Sequence, residues 1–344
     1  MIERISWFVE RVWETVFASF HSWSSFQEAL ERIPLVFINF TNGLAWPYLL
    51  SSLVLAWLLY FVALRQGGTT AKSFREFAFP AHLYRHPSTL LDFRFMAVDT
   101  VLNFLMWIPV FSGVGLLTAK ILSVVVIQRM GWEPPGSLTP AAIAVATMGL
   151  LLLSDLINYW AHVWLHKNPI LWSFHQVHHS AEVLTPAAAF RVHPVENLIT
   201  VVLQAPVAGL SALLFQNVLG RDRQFMMIFG VSIFGFIYGL LGTHLRHSHI
   251  WMSYGPWLNR FVMSPAHHQL HHSIDPRHWN KNFGVRFTLW DALFGTLYVP
   301  REPETLQVGL PDADSRDFTT VRKLYFLPFE KMGRGLLSLG QRRR

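Results

Sequence analysis

The sequence predicts an all-α integral-membrane protein: a helical bundle of about five spans carrying a histidine-rich cap on its cytoplasmic side. Three observations predict it. The 344-residue chain is 52% hydrophobic and only 14% charged, a balance that water-soluble domains seldom reach. Charge-free runs recur at 33–64, 100–119, 134–154, 197–220 and 224–245, each long enough to cross a hydrocarbon core of roughly 30 Å. Of the 17 histidines, 14 fall between His162 and His278, about a third of the chain.

Residues 1–32 open the chain with Glu3, Arg4, Glu10, Arg11 and Glu14 set at intervals among Ile5, Phe8, Val9, Val12, Trp13, Val16 and Phe17. That pattern predicts an amphipathic helix on the membrane surface, and the acidic residues argue against a secretory signal. Residues 33–154 are expected to hold spans, with an alternative re-entrant hairpin at Asn42, Gly43 and Pro47. The loop 65–94, with Arg65, Lys72, Arg75, Arg85 and Arg94, reads as cytoplasmic, and Pro134, Pro135 and Gly136 as a connection between spans. Residues 155–300 form the histidine-bearing region, in which 197–220 and 224–245 make a hairpin turning at Arg221, Asp222 and Arg223. Residues 301–344 form a basic cytoplasmic tail ending in Arg342, Arg343 and Arg344.

The chain has no cysteine, which excludes disulfides, iron–sulfur clusters, thiolate-ligated haem and cysteine nucleophiles. The net charge of +7 does not imply a nucleic-acid partner. Half of the 28 Lys and Arg lie after residue 245, as the positive-inside rule and anionic headgroups require.

The histidines are spaced as ligands. His162 and His166 lie four apart; His175, His178 and His179 form an HxxHH, and so do His268, His271 and His272. Residues three and four apart share a helix face, close enough for two imidazoles to meet one metal. The remaining imidazole of each HxxHH is turned about 100° aside and can reach a second metal. Two such triplets and a pair predict a di-metal site of nitrogen ligands, suited to iron, zinc, copper or nickel. The sequence contains no HExxH, so a zinc-protease arrangement is excluded. Asp155 stands on one helical stripe with Tyr159, His162 and His166, placed to orient a ligand histidine or to end the helix at the interface. A membrane metal transporter would also gather histidines beside spans, but its sites interrupt helices near the midplane, whereas these follow them.

The residues D-L-I-N-Y-W-A-H-V-W-L-H (155–166), L-W-S-F-H-Q-V-H-H-S (171–180), R-V-H-P-V-E (191–196), R-H-S-H-I-W (246–251), S-P-A-H-H-Q-L-H-H-S (264–273), N-K-N-F-G (280–284) and W-D-A-L-F-G-T (290–296) resemble the fatty acid hydroxylase/sterol desaturase superfamily of membrane di-iron oxygenases, its bacterial members above all. The resemblance implies two irons held at the cytoplasmic membrane surface by His162, His166, His175, His178, His179, His268, His271 and His272. It adds His247, with His244 as the alternative one turn earlier, while His249 stands where many relatives have asparagine. His193 is implied as a ligand or as a support beside the ligands. It implies dioxygen, two electrons from an external carrier or reductase, and a lipid substrate, an acyl chain or a sterol-like molecule, that is hydroxylated or desaturated at a C–H bond. A bacterial cytoplasmic membrane is the implied location. His267 reads as a non-ligand, His278, Asn282 and Asp291 as braces of the cap, and His21, His82 and His86 as interfacial.

Overall fold

The structure is a computed structural model and describes residues 10, 13–15, 17–38, 44–123, 125, 131, 139–218, 227–228 and 231–341. Apart from a two-residue hairpin, Met227–Ile228 paired with Val231–Ser232, and two isolated bridges, the regular structure among these residues is helical. They fall into two compact units. One comprises Met1–Asn42, Val98–Ile157 and Asn197–Ile233, the other Gly43–Ala97, Asn158–Glu196 and Phe234–Arg344.

Among the described residues, three stretches are long and apolar enough to cross a membrane: Trp46–Gln66, Pro87–Gly115 and Ala141–Lys167. The amphipathic segment expected before residue 18 lies largely outside the described residues; after it come a short 3-10 turn and helix α1, Trp23–Glu31, capped by the Ser22 side chain. The run 33–64 is not one helix. Its start is a 3-10 turn, Ile33–Phe37, with Pro34 near its beginning, and the span proper is α2, Trp46–Gln66. Gly67 ends α2 at φ +65° and returns its N–H to Ala63 and Leu64, a left-handed stop that glycine adopts without strain.

The loop expected over 65–94 is shorter than predicted. Helix α3, Pro87–Leu102, continues through a π turn, Asn103–Trp107, into α4, Ile108–Ser123. Arg94, expected in that loop, therefore lies on α3, as does Asp92, which is fully buried in an ion pair with Arg191. Helix α5, Pro140–Lys167, carries the span and the first histidine pair together. A single residue, Asn168, separates it from α6, Pro169–His179; its side chain caps Ile170 and Leu171, and Pro169 fits the first helical position. Helix α7, Pro194–Val218, takes up residues 197–218 of the next apolar run. The turn expected at Arg221–Arg223 lies outside the described residues, as do Pro134–Gly136 and Arg342–Arg344, and 224–245 ends in the eight-residue α8, Ile233–Leu240.

In the second unit, α9, Pro265–His271, starts in a capping box where His267 takes the place usually held by Glu: its Nδ1 accepts the Ser264 N–H at 3.1 Å. A short helix α10, Leu289–Leu293, follows, and α11, Val321–Gln341, packs on α6. Val177, Leu310, Phe318 and Leu324 close that contact, each buried apolar side chain contributing about 1.5–3 kcal/mol.

Candidate metal centre

The loop between α9 and α10 is a rigid platform for histidines. The Asp291 carboxylate accepts the N–H groups of Phe283 and Gly284, both at 2.8 Å, and the Thr296 hydroxyl at 2.6 Å. Asn282, at φ 58°, accepts the Tyr298 N–H and donates to the His267 carbonyl. Gly284 has no substitute here, since a Cβ would come within 2.5 Å of the Phe287 carbonyl. These braces fix two carbonyl oxygens: that of Phe283 accepts from His162 Nδ1 and that of Lys281 from His271 Nδ1, each at 2.8 Å.

Nine histidines converge in two sets. His162, His166, His175, His179 and His271 form the first, and His178, His247, His268 and His272 the second; within each set one nitrogen per ring lies within 4.8 Å of all the others. The boxes are shared between them. His175 and His179 join the first set and His178 the second, whereas His268 and His272 join the second and His271 the first. The i,i+4 pair of each HxxHH therefore serves one set and the residue at i+3 the other. The sets touch, with the His179 and His272 rings stacked at 4.5 Å.

A carbonyl or carboxylate oxygen only accepts, so each ring bonded to one through Nδ1 carries its proton there and turns a bare Nε2 inward. That holds for His162 and His271, for His175, whose Nδ1 donates to Glu196 at 2.9 Å, and for His178, whose Nδ1 donates to the Arg191 carbonyl at 3.3 Å. His166 Nε2 then faces the bare Nε2 of His175 at 3.0 Å and of His271 at 3.1 Å. A single N–H can satisfy at most one of them. In the second set the contacts are 3.2 Å between His178 and His247, 2.9 Å between His247 and His268, and 3.1 Å between His268 and His272. Ligands at right angles around one ion, at about 2.1 Å, stand about 3.0 Å apart, so a cation in each set accounts for spacings that hydrogen bonds do not. Burial, then the neighbouring His175, pushes His178 down to about 4. Burial also holds His179, His247, His268, His271 and His272 well below the ordinary value. All are neutral at pH 7, as ligands must be.

Other expected residues lie elsewhere. His193 enters neither set: its Nε2 donates to the Tyr325 carbonyl at 3.0 Å and its Nδ1 accepts the Val195 N–H at 3.1 Å. His244 is buried one turn before His247 but belongs to neither set. His249 bonds the Phe77 carbonyl. Asp155 is fully buried on α5, two turns before His162. The sequence reading passed over Glu196, which ends the same R-V-H-P-V-E that drew attention to His193 and which touches a ring of the first set.

Two cavities adjoin the sets. An apolar one of about 380 Å³ is bordered by Leu49, Leu53, Phe79 and Phe93, and by His244, Leu245 and Ser248 around His247. Gln269, between the histidines of the second box, ties that wall by donating to the Leu245, Ser248 and Ile250 carbonyls. A smaller cavity of about 200 Å³ borders His166, His179 and His271 together with Trp172, Ser273, Trp279 and Asn280.

Three long apolar helices, one of which carries His162 and His166, together with two sets of converging imidazoles, define a membrane protein with a histidine cluster able to hold metal. Residues 147–296 match the fatty acid hydroxylase family, and over that region the chain is similar to lipid hydroxylases and sterol desaturases. It is 30% identical over 185 residues to an ornithine lipid hydroxylase of Rhizobium tropici, covering 54% of this chain and 50% of that protein. It is 29% identical to an alkylglycerol monooxygenase of Danio rerio over 50% of this chain and 34% of that one. A Δ7-sterol 5(6)-desaturase of Gibberella zeae is 29% identical over 51% of this chain and 46% of its own length. The chain thus spans half or less of these relatives. No solved structure matches it.

Proposed function

We propose that the protein is a membrane di-iron oxygenase that hydroxylates or desaturates a C–H bond of a lipid, using dioxygen and two electrons from a separate carrier. The observation that supports this best is the pair of imidazole sets, whose nitrogens stand at ligand spacing beside an apolar cavity. The relatives named above act on ornithine lipids, alkylglycerols and sterols, which favours a lipid over a water-soluble substrate. Iron, when bound, supplies activation of dioxygen for attack on an unactivated C–H bond.

The chain's own residues do the rest. Nine histidines hold the ions, five in the first set and four in the second, and His244 stands aside as cavity wall. Glu196 and the carbonyls of Phe283, Lys281 and Arg191 keep four rings in one tautomer, with the lone pair inward. The cavity admits an acyl or polycyclic chain past Leu49, Leu53 and Phe93, which are exposed on the flanks of α2 and α3, so the substrate arrives sideways from the bilayer. Its inner wall, His244 to Ile250, sets the reacting carbon beside His247 and keeps water away. The sets lie at the cytoplasmic face of the inner membrane, where reduced carriers are available. The test is lipid mass spectrometry of cells with and without the gene, grown under ¹⁸O₂. A lipid that gains one labelled oxygen, or loses two hydrogens, is the expected result; an unchanged lipid profile despite loaded protein refutes the reading.

A further inference from the structure

The two cavities differ in chemistry and in the histidines they reach. The larger is walled mainly by leucine, phenylalanine and alanine side chains, with His244 and His249 but no histidine of either set on its lining, and a divalent ion that shed its water there would meet a desolvation cost of many kcal/mol. The smaller presents three ligand imidazoles with the polar side chains of Ser273 and Asn280. Trp279 at its rim is half exposed and anchored by an Nε1–H donated to the Ile274 carbonyl at 3.0 Å. At about 200 Å³, it has room for several waters at about 30 Å³ each.

We propose that this smaller cavity is the port through which hydrated divalent metal ions reach the centre and leave it, and that the second set fills and empties through the first. The inference rests on the two-metal reading above. His166, His179 and His271 line the port, and His179 Nε2 is buried with no hydrogen-bond partner, so an arriving ion can exchange its waters for imidazoles one at a time. His162 and His175 complete the first set without lining the port, held by the Phe283 carbonyl and Glu196. No residue of the second set borders the cavity; its rings lie beyond the first, His272 stacked on His179 and His178 at 5.6 Å from His175. An ion bound for the second set therefore passes the first, and an ion in the second set cannot leave while the first is occupied.

The experiment is metal release from the full-length, detergent-solubilised, loaded protein into excess chelator, followed by a colorimetric metal indicator. Total metal is measured first. At most one ion per chain removes the two-metal reading itself and the loading order with it. With two ions, the port predicts two phases of equal amplitude, the fast one emptying the first set. Trp279→Ala, which widens the rim, is expected to speed the fast phase roughly tenfold, equivalent to about 1.4 kcal/mol of barrier; Ile274→Trp, which narrows the cavity, is expected to slow it by a similar factor. Leu53→Trp, in the apolar cavity, leaves both phases unchanged. Release in one phase, indifference to both rim substitutions, or slowing by Leu53→Trp overturns the proposal.

Discussion

Glu196 is buried and accepts from His175 Nδ1, outside both histidine sets. It fixes the ring's tautomer and raises the basicity of the inward nitrogen. Glu196→Ala is therefore expected to lower metal affinity about 10- to 100-fold while the chain still folds, as read by competition with a chelator of known affinity. His178→Ala and His271→Ala each remove one nitrogen, from the second and first set respectively, and are expected to abolish turnover. His21→Ala, outside both sets, leaves it near the parent level, and equal losses at His21 and His271 would refute this partition. His267 contributes through its cap rather than through a metal, and burial pushes it down to about 3.

At the scale of elements, Arg191 ties α3 to the segment after α6. It is fully buried, paired with Asp92, and donates to the Ser180 hydroxyl and to the carbonyl and hydroxyl of Ser88. Removing one partner strands a buried charge, at a cost of about 3–5 kcal/mol. Arg191→Met is accordingly expected to lower thermal stability sharply and Arg191→Met with Asp92→Leu to recover much of it; equal destabilisation of single and double variants would refute the ion-pair account. The same contact shows what was legible in the sequence. The HxxHH and HxxxH periodicities name eight of the nine converging histidines, because ligand spacing on a helix is a local property. No local pattern marks the pairing of Asp92, because its partner lies 99 residues away. The carbonyls of Phe283 and Lys281 leave no mark in a sequence, since every residue has one; only the N-K-N-F-G and W-D motifs that hold them do. Glu196 stands in the R-V-H-P-V-E motif, but its partner His175 lies 21 residues away, so no local spacing marks the pair.

For the whole molecule, acid is the simplest probe. His178 and His267 stay neutral when folded, whereas unfolded imidazoles titrate near pH 6.5. Below about 6.5 the unfolded chain binds protons that the folded chain refuses, so metal-free protein is expected to keep full stability above that pH and to lose it steadily toward pH 4. Thermal melts across pH 8 to 4.5 check this; a flat profile contradicts it. Sidedness is tested separately. Lys167 and Arg301 are exposed in a chain without cysteine, so Lys167→Cys and Arg301→Cys should resist an impermeant thiol reagent in intact cells and react once the cells are opened. Labelling from opposite sides would contradict one shared cytoplasmic face. The interleaving of the two boxes has a mechanical corollary. An ion bound in either set would join α6 to α9, and one in the first would also clamp α5 to both, cross-linking segments about a hundred residues apart. A secreted protein uses disulfides for that task; such a joint would be reversible, and its strength would follow the supply of metal by mass action. Chain synthesised under iron starvation would then be released from its clamps and open to proteolysis, so that the amount of the protein, as well as its activity, tracks the metal.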